Sequence, residues 1–224
     1  MILQIFARMN ATGVRLNAQE IRNAEFIGRF KNTAYEIATE QLARWRDEWK
    51  IFTPDEIARM AEVELTSEFV LLIFNGVLNK STSTINNYYA KFDSNFDDSP
   101  EVARRFRDTL DTIDELFGAD TIRKLFKRRA LFYALFASIY GLQYGLRKSE
   151  PLDNIKQLKR TRPNRVKPDV VQHIEKAGST MALGEHLPDN LEQALRGATS
   201  DTGTRKTVIG FLVGKENDPC RHLN

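Results

Sequence analysis

Glu62, Glu64 and Glu68 stand in a heavily apolar stretch of the chain, and Glu64 and Glu68 are four residues apart. Carboxylates at that spacing share one face of a helix, as metal ligands or a general acid and base do. Arg59 is close by, so the plainer reading makes these carboxylates surface charge or partners of that arginine. A second charged group is basic: Lys156, Lys159, Arg160, Arg162, Arg165 and Lys167 fall in a Pro-broken stretch with few apolar anchors. Such a run could lie along a phosphate backbone, where each cation releases a counterion on binding. It has no interleaved aromatics, and the plainer reading is a solvated loop. His173, His186 and His222 show no metal-ligand spacing among themselves or with Cys220. Neither a Gly-rich phosphate loop nor a Gly-x-Ser-x-Gly elbow occurs. The residues alone thus assemble no catalytic site and imply neither metal nor cofactor.

Helices must position these groups, because helical periodicity recurs along the chain while alternating β-branched runs are nearly absent. Tyr35, Ile37, Ala38, Leu42, Trp45 and Trp49 predict a helix over 33–50. Thr53, Pro54 and Glu56 start another, expected to run to Leu78. A polar, aromatic helix follows over 83–96, and then one begun by Ser99-Pro100-Glu101 and ended by Gly118. Residues 130–146 carry no formal charge, yet Ser138, Gln143, three tyrosines and two glycines make them too polar for a spanning segment of about 20 apolar residues. They predict a buried central helix. Short helices over 168–176, 188–195 and 204–213 close the chain. The fold class is therefore mainly α: a multi-helix bundle around a central apolar helix, with a small helical C-terminal layer. Residues 1–147 form the bundle, 148–168 a basic linker or exposed loop, and 169–224 the C-terminal segment.

With 224 residues and 42% hydrophobic content, the chain can bury a real core. Its formal charge of +3 does not argue for nucleic acid globally, so such binding must come from local patches. One cysteine, Cys220, and no secretory signal fit a reducing cytoplasm.

The stretch from Ile5 to Ala24 is dense in polar groups. Asn17 precedes Glu20 by three residues, the spacing of a capping box, and Gly13 permits a tight turn before it. Phe6, Arg8, Asn10, Gly13, Leu16, Gln19, Glu20, Arg22, Asn23 and Ala24 fill every position of the phrase F-x-R-x-N-x-x-G-x-x-L-x-x-Q-E-x-R-N-A. That phrase resembles the signature of the GmrSD-type N-terminal domains, a ParB/sulfiredoxin-like family from bacterial restriction and phage-defence systems. The likeness extends to Arg59-Met60 with Glu62 and Glu64, to NNYYAKFDSNF, and to LRGATSDTGTRKTVIGFL with Arg196, Thr199 and Arg205. The family's Asp-Gly-Gln-Gln-Arg phrase, which marks its nucleotide-handling and nuclease half, does not occur here.

The resemblance implies the helical part of such a protein, contributing to DNA or partner binding and completing a site carried by a missing N-terminal half. Arg8, Asn10, Gly13, Gln19, Glu20, Arg22 and Asn23 would buttress that site, with the polar side chains facing the missing half. Lys159, Arg160, Arg162, Arg165, Lys167, Arg196 and Arg205 would contact nucleic acid. Partners would be DNA, a ParB-like half or another copy of the chain, and not a membrane. The chain alone is not expected to be an enzyme; with its missing half the activity would be of an NTP-dependent nuclease type. The alternative is a catalytically inactive interaction or oligomerisation module, the remnant of a split gene. A further rival uses Glu64 or Glu68 with Arg59 as an active site.

Overall fold

The structure is a computed structural model that describes residues 15–184, 187–196, 200–214 and 216–221. Among them all the regular structure is helical, with no strand. Asn17 caps α1 (Ala18–Glu25): its side chain accepts from the amides of Gln19 and Glu20, and the Glu20 carboxylate accepts from the Asn17 amide. Helix α2 (Arg29–Glu40) leads into a π-helical stretch, Ala43–Glu48. Thr53 caps α3 (Pro54–Ala58), and α4 (Ala61–Asn75), α5 (Thr82–Lys91), α6 (Ser99–Leu125, broken at Gly118, whose φ is 66°) and α7 (Arg129–Tyr144) complete the bundle. An irregular segment with one short 3-10 turn (Leu152–Asn154) connects to α8 (Pro168–Leu183), α9 (Asp189–Arg196) and α10 (Thr202–Val213).

Helix α7 is buried on nearly all sides, as its uncharged sequence requires. It does not hold the centre alone. Helix α4 touches α1, α2, α3, α5, α6 and α7, while α7 packs on α4, α6 and α10. Trp45, Trp49, Phe52 and Phe132 form one aromatic group of this core, with ring centroids 5.3 to 6.0 Å apart. Such pairs add about 0.5 to 1.5 kcal/mol each beyond area burial. Helix α8 packs on α6, and α10 on α7 and α8, so the C-terminal layer lies against the bundle.

Two expected helices are interrupted. The one expected over 33–50 starts earlier, at Arg29, and widens to π geometry at Ala43, where the Trp49 amide donates to the Arg44 carbonyl. The one expected over 53–78 breaks at Met60, whose φ of 61° is left-handed, so α3 and α4 meet at an angle. Gly76 ends α4 for two reasons: its φ is 77°, and a Cβ there would meet the Arg147 carbonyl oxygen at 2.1 Å. No helix among the described residues is long and apolar enough to cross a membrane.

Candidate functional site: a buried ion network and a basic strap

The first turns of α1 place Gln19 and Arg22 on the face that enters the bundle, and each is only 1% exposed. Arg22 donates from Nε to Gln19 Oε1 at 2.9 Å, from Nη1 to Asn86 Oδ1 at 3.2 Å and from Nη2 to Glu64 Oε1 at 3.0 Å. Gln19 donates in turn to the Tyr89 hydroxyl, which also bonds Ser67. The other Glu64 oxygen accepts from Lys80 Nζ at 3.0 Å, and Lys80 reaches Glu68 Oε1 at 2.9 Å. Glu68 pairs with Arg205 of α10, whose guanidinium lies 3.9 Å over the Tyr133 ring and donates to the Leu78 carbonyl. Five charges of alternating sign thus run Arg22, Glu64, Lys80, Glu68, Arg205. They tie α1, α4, the turn after α4 and α10 together.

A cavity of about 240 Å³ opens beside this network, lined by Glu64, Glu68, Lys80, Arg129, Tyr133 and Arg205 among others. Its electrostatics are those of locked pairs. Burial alone would raise the Glu64 carboxyl, but Lys80 and then Arg22 outweigh it and hold Glu64 below its ordinary value. Burial would likewise lower the Lys80 ammonium, and Glu68 and Glu64 reverse that. Burial pushes the Tyr133 hydroxyl up to about 12, against the opposing Arg205. Glu64 is thus held ionised and Lys80 charged, each engaged by the other and by its further partners.

The rival active site does not form. Arg59 sits on Glu20 instead, through Nε to Oε1 and Nη2 to Oε2, both at 3.0 Å, with a further bond to the Arg15 carbonyl. The cation that meets Glu64 and Glu68 is Lys80, which the sequence pattern does not single out. The expectation that Gln19 and Arg22 face a missing half is corrected on the same ground: both spend their donors inside the bundle. Glu20 stays at the rim with Arg59, and Asn23 is half-buried. Arg8, Asn10 and Gly13 lie outside the described residues, as does Thr199.

The basic stretch behaves differently. Between Ile155 and Lys167 the chain has no helix, yet the bundle fixes its backbone at several points. Arg147 donates to the Lys156 carbonyl at 2.5 Å, Arg105 to the Lys159 carbonyl at 2.6 Å and Arg104 to the Thr161 carbonyl at 2.8 Å. Asp98 accepts from the Leu158 amide and the Gln143 carbonyl from the Asn164 amide. Val166 is buried between the exposed Arg165 and Lys167. Arg105 is itself held by Glu101 and Tyr140, and Arg104, followed by Arg105, takes the Glu101 carboxyl down to about 2. The result is a pinned strap rather than a loose loop.

Lys156, Lys159, Arg160, Arg162, Arg165 and Lys167 are all exposed on this strap, and none pairs with an acid among the described residues. Two of them have carboxylates close by: Arg160 lines a shallow hollow with Asp97, Asp98 and Glu101, and Arg165 lines another with Glu115. Two other cations expected at a nucleic acid are placed otherwise. Arg205 is 7% exposed and bound to Glu68, so it is unavailable to a phosphate, and Arg196 is exposed but paired with Glu192 at 2.5 Å. The Cys220 thiol is buried, and burial pushes it up to about 12, which makes it inert. His186 and His222 lie outside the described residues, among which no acid, histidine and cysteine cluster could hold a metal. No family model, curated protein or solved structure matches the chain.

Proposed function

We propose that this chain is a helical module of a GmrSD-type bacterial defence or restriction protein, and that its own contribution is to hold the phosphate backbone of a nucleic acid. One observation carries the binding half of that reading: six unpaired cations stand on a backbone fixed by the bundle's own arginines. Fixing the strap in the folded protein removes entropy that a loose basic loop would lose on binding. The motif residues of α1 serve the fold by anchoring α1 to α4 and α5, and so set the surface on which a ParB-like half would sit. Glu64, Glu68 and Lys80 beside the cavity are engaged in ion pairs, so the isolated chain is expected to leave nucleotide and DNA intact.

Protection mapping tests the reading. Acetylation of the chain with and without excess duplex DNA, followed by mass spectrometry, should show Lys156, Lys159 and Lys167 shielded by the DNA. Equal modification of these lysines in both samples would contradict the proposal.

A second reading, an interaction module, has its own observation. Ile21 on α1 is 41% exposed and Ile27 just after it is 78% exposed, next to the Glu20 and Arg59 pair. Those apolar side chains suit a partner chain or a second copy. Light scattering decides it: a stable dimer broken by Ile21→Ser with Ile27→Ser would favour it, and a monomer would not.

A further inference from the structure

We infer that the strap takes duplex DNA backbone over about one helical turn, without reading its sequence, and does not serve single strands. This inference rests on the nucleic-acid reading above and narrows its ligand.

Three features of the strap carry it. First, there is no aromatic residue anywhere in 148–168, and among the described residues the only large aromatic that is exposed is Tyr35, on α2. Proteins that hold single strands without sequence preference rely on aromatic platforms on which bases stack. The strap has cations and no platform. It therefore gains from phosphates and gains nothing from unstacked bases.

Second, the backbone is pinned. The carbonyls of Lys156, Lys159 and Thr161 are bound by arginines of the bundle, and the amides of Leu158 and Asn164 are bound as well. Sequence is read by an element that enters a groove, whereas contacts to phosphates fix position and carry no sequence information. A strap held against α6 and α7 by its own carbonyls stays at the surface. Its cations are also held in fixed order, which suits the regular phosphates of a stiff duplex better than a flexible strand that must itself be ordered.

Third, the length sets a ceiling. From Lys156 to Lys167 there are eleven residue steps, which span at most about 40 Å even when fully extended. One turn of B-form duplex is about 34 to 36 Å. The contact is thus limited to about one turn.

Charge facing the strap sets the strength. Asp97, Asp98 and Glu101 lie beside Arg160 and Glu115 beside Arg165, and offset them, while Arg104, Arg105 and Arg147 beneath the strap are already bound to carboxylates or carbonyls. The other four strap cations remain, so the logarithm of the binding constant should fall against the logarithm of salt concentration with a slope of about −3.6 for a duplex.

The test is fluorescence anisotropy with the full chain across a salt series. The probes are duplexes of about two turns and about one turn, a scrambled duplex, and the single strand of the same sequence. The expected result is equal affinity per site for both lengths and both sequences, and binding at least about tenfold weaker for the single strand. The double variant Arg162→Gln, Lys167→Gln should lower the slope by about 1.8 while its circular dichroism melt stays in place. A single strand that binds as tightly as the duplex, or a tenfold preference between duplex sequences, overturns this inference alone. Absence of binding to every probe at low salt overturns the nucleic-acid reading and this inference with it.

Discussion

The buried network and the strap are both rich in arginine and lysine, and they use them in opposite ways. Arg22 and Arg205 are buried against a carboxylate and the half-buried Lys80 bridges two, so their charge is consumed in joining helices. On the strap the cations are exposed while the carbonyls of the same segment accept hydrogen bonds from the bundle. Arg205 and Arg162 are the same residue type in a basic context, yet only one of them has charge left for a partner. What a cation can do is decided by its partner and its solvation rather than by its place in a charge run.

The comparison can be broken first at Arg22. Replacing it with alanine removes one counter-charge of Glu64 and strips the partners of Gln19 and Asn86, and should cost about 3 to 5 kcal/mol. Urea unfolding measures this, and an unchanged midpoint would mean the network is not holding α1. Arg105→Met should have the next largest effect, about 2 kcal/mol, because it frees two carbonyl and hydroxyl contacts of the strap and one of Glu101. Its clearer readout is trypsin: the wild-type strap, though full of cleavable sites, should be cut slowly, and the variant should be cut there first.

Glu62 gives a smaller effect of opposite sign. It is 6% exposed, one of its carboxylate oxygens lacks a partner, and burial raises its carboxyl above the ordinary value. A raised carboxyl favours the protonated form in the folded state, so the stability it contributes is present at acid pH and lost as pH rises through the folded value. Glu62→Gln should therefore stabilise the chain at pH 7 by roughly 1 kcal/mol, and the gain should shrink as pH falls toward 4. Thermal melts at the two pH values check this, and a gain that grows on acidification would contradict it. Arg165→Gln on the strap should move stability by less than about 0.5 kcal/mol.

Local physics made part of this legible in the sequence. The capping boxes at Asn17 and Thr53 need only residues three apart, the Gly118 break needs only its own φ of 66°, and the uncharged run of α7 can only be buried. Breaks without a glycine or proline were not legible, because Met60 adopts a left-handed φ that its own side chain disfavours. The network was hidden for a different reason. Arg22 finds Glu64 across 42 residues and Arg205 finds Glu68 across 137, and no spacing rule links partners that only the folded bundle brings together. The strap lay between: its charge was plain in the sequence, but the pins come from Asp98, Arg104, Arg105 and Arg147 on other elements.

The most direct test is duplex affinity at low salt of a chain with all six strap cations changed to glutamine, measured beside the wild type and with both melts recorded. The account predicts that binding collapses while the melting temperature holds, because those charges face outward and the network is intact. Undiminished binding by that variant would contradict it, and would move the nucleic-acid surface elsewhere on the molecule.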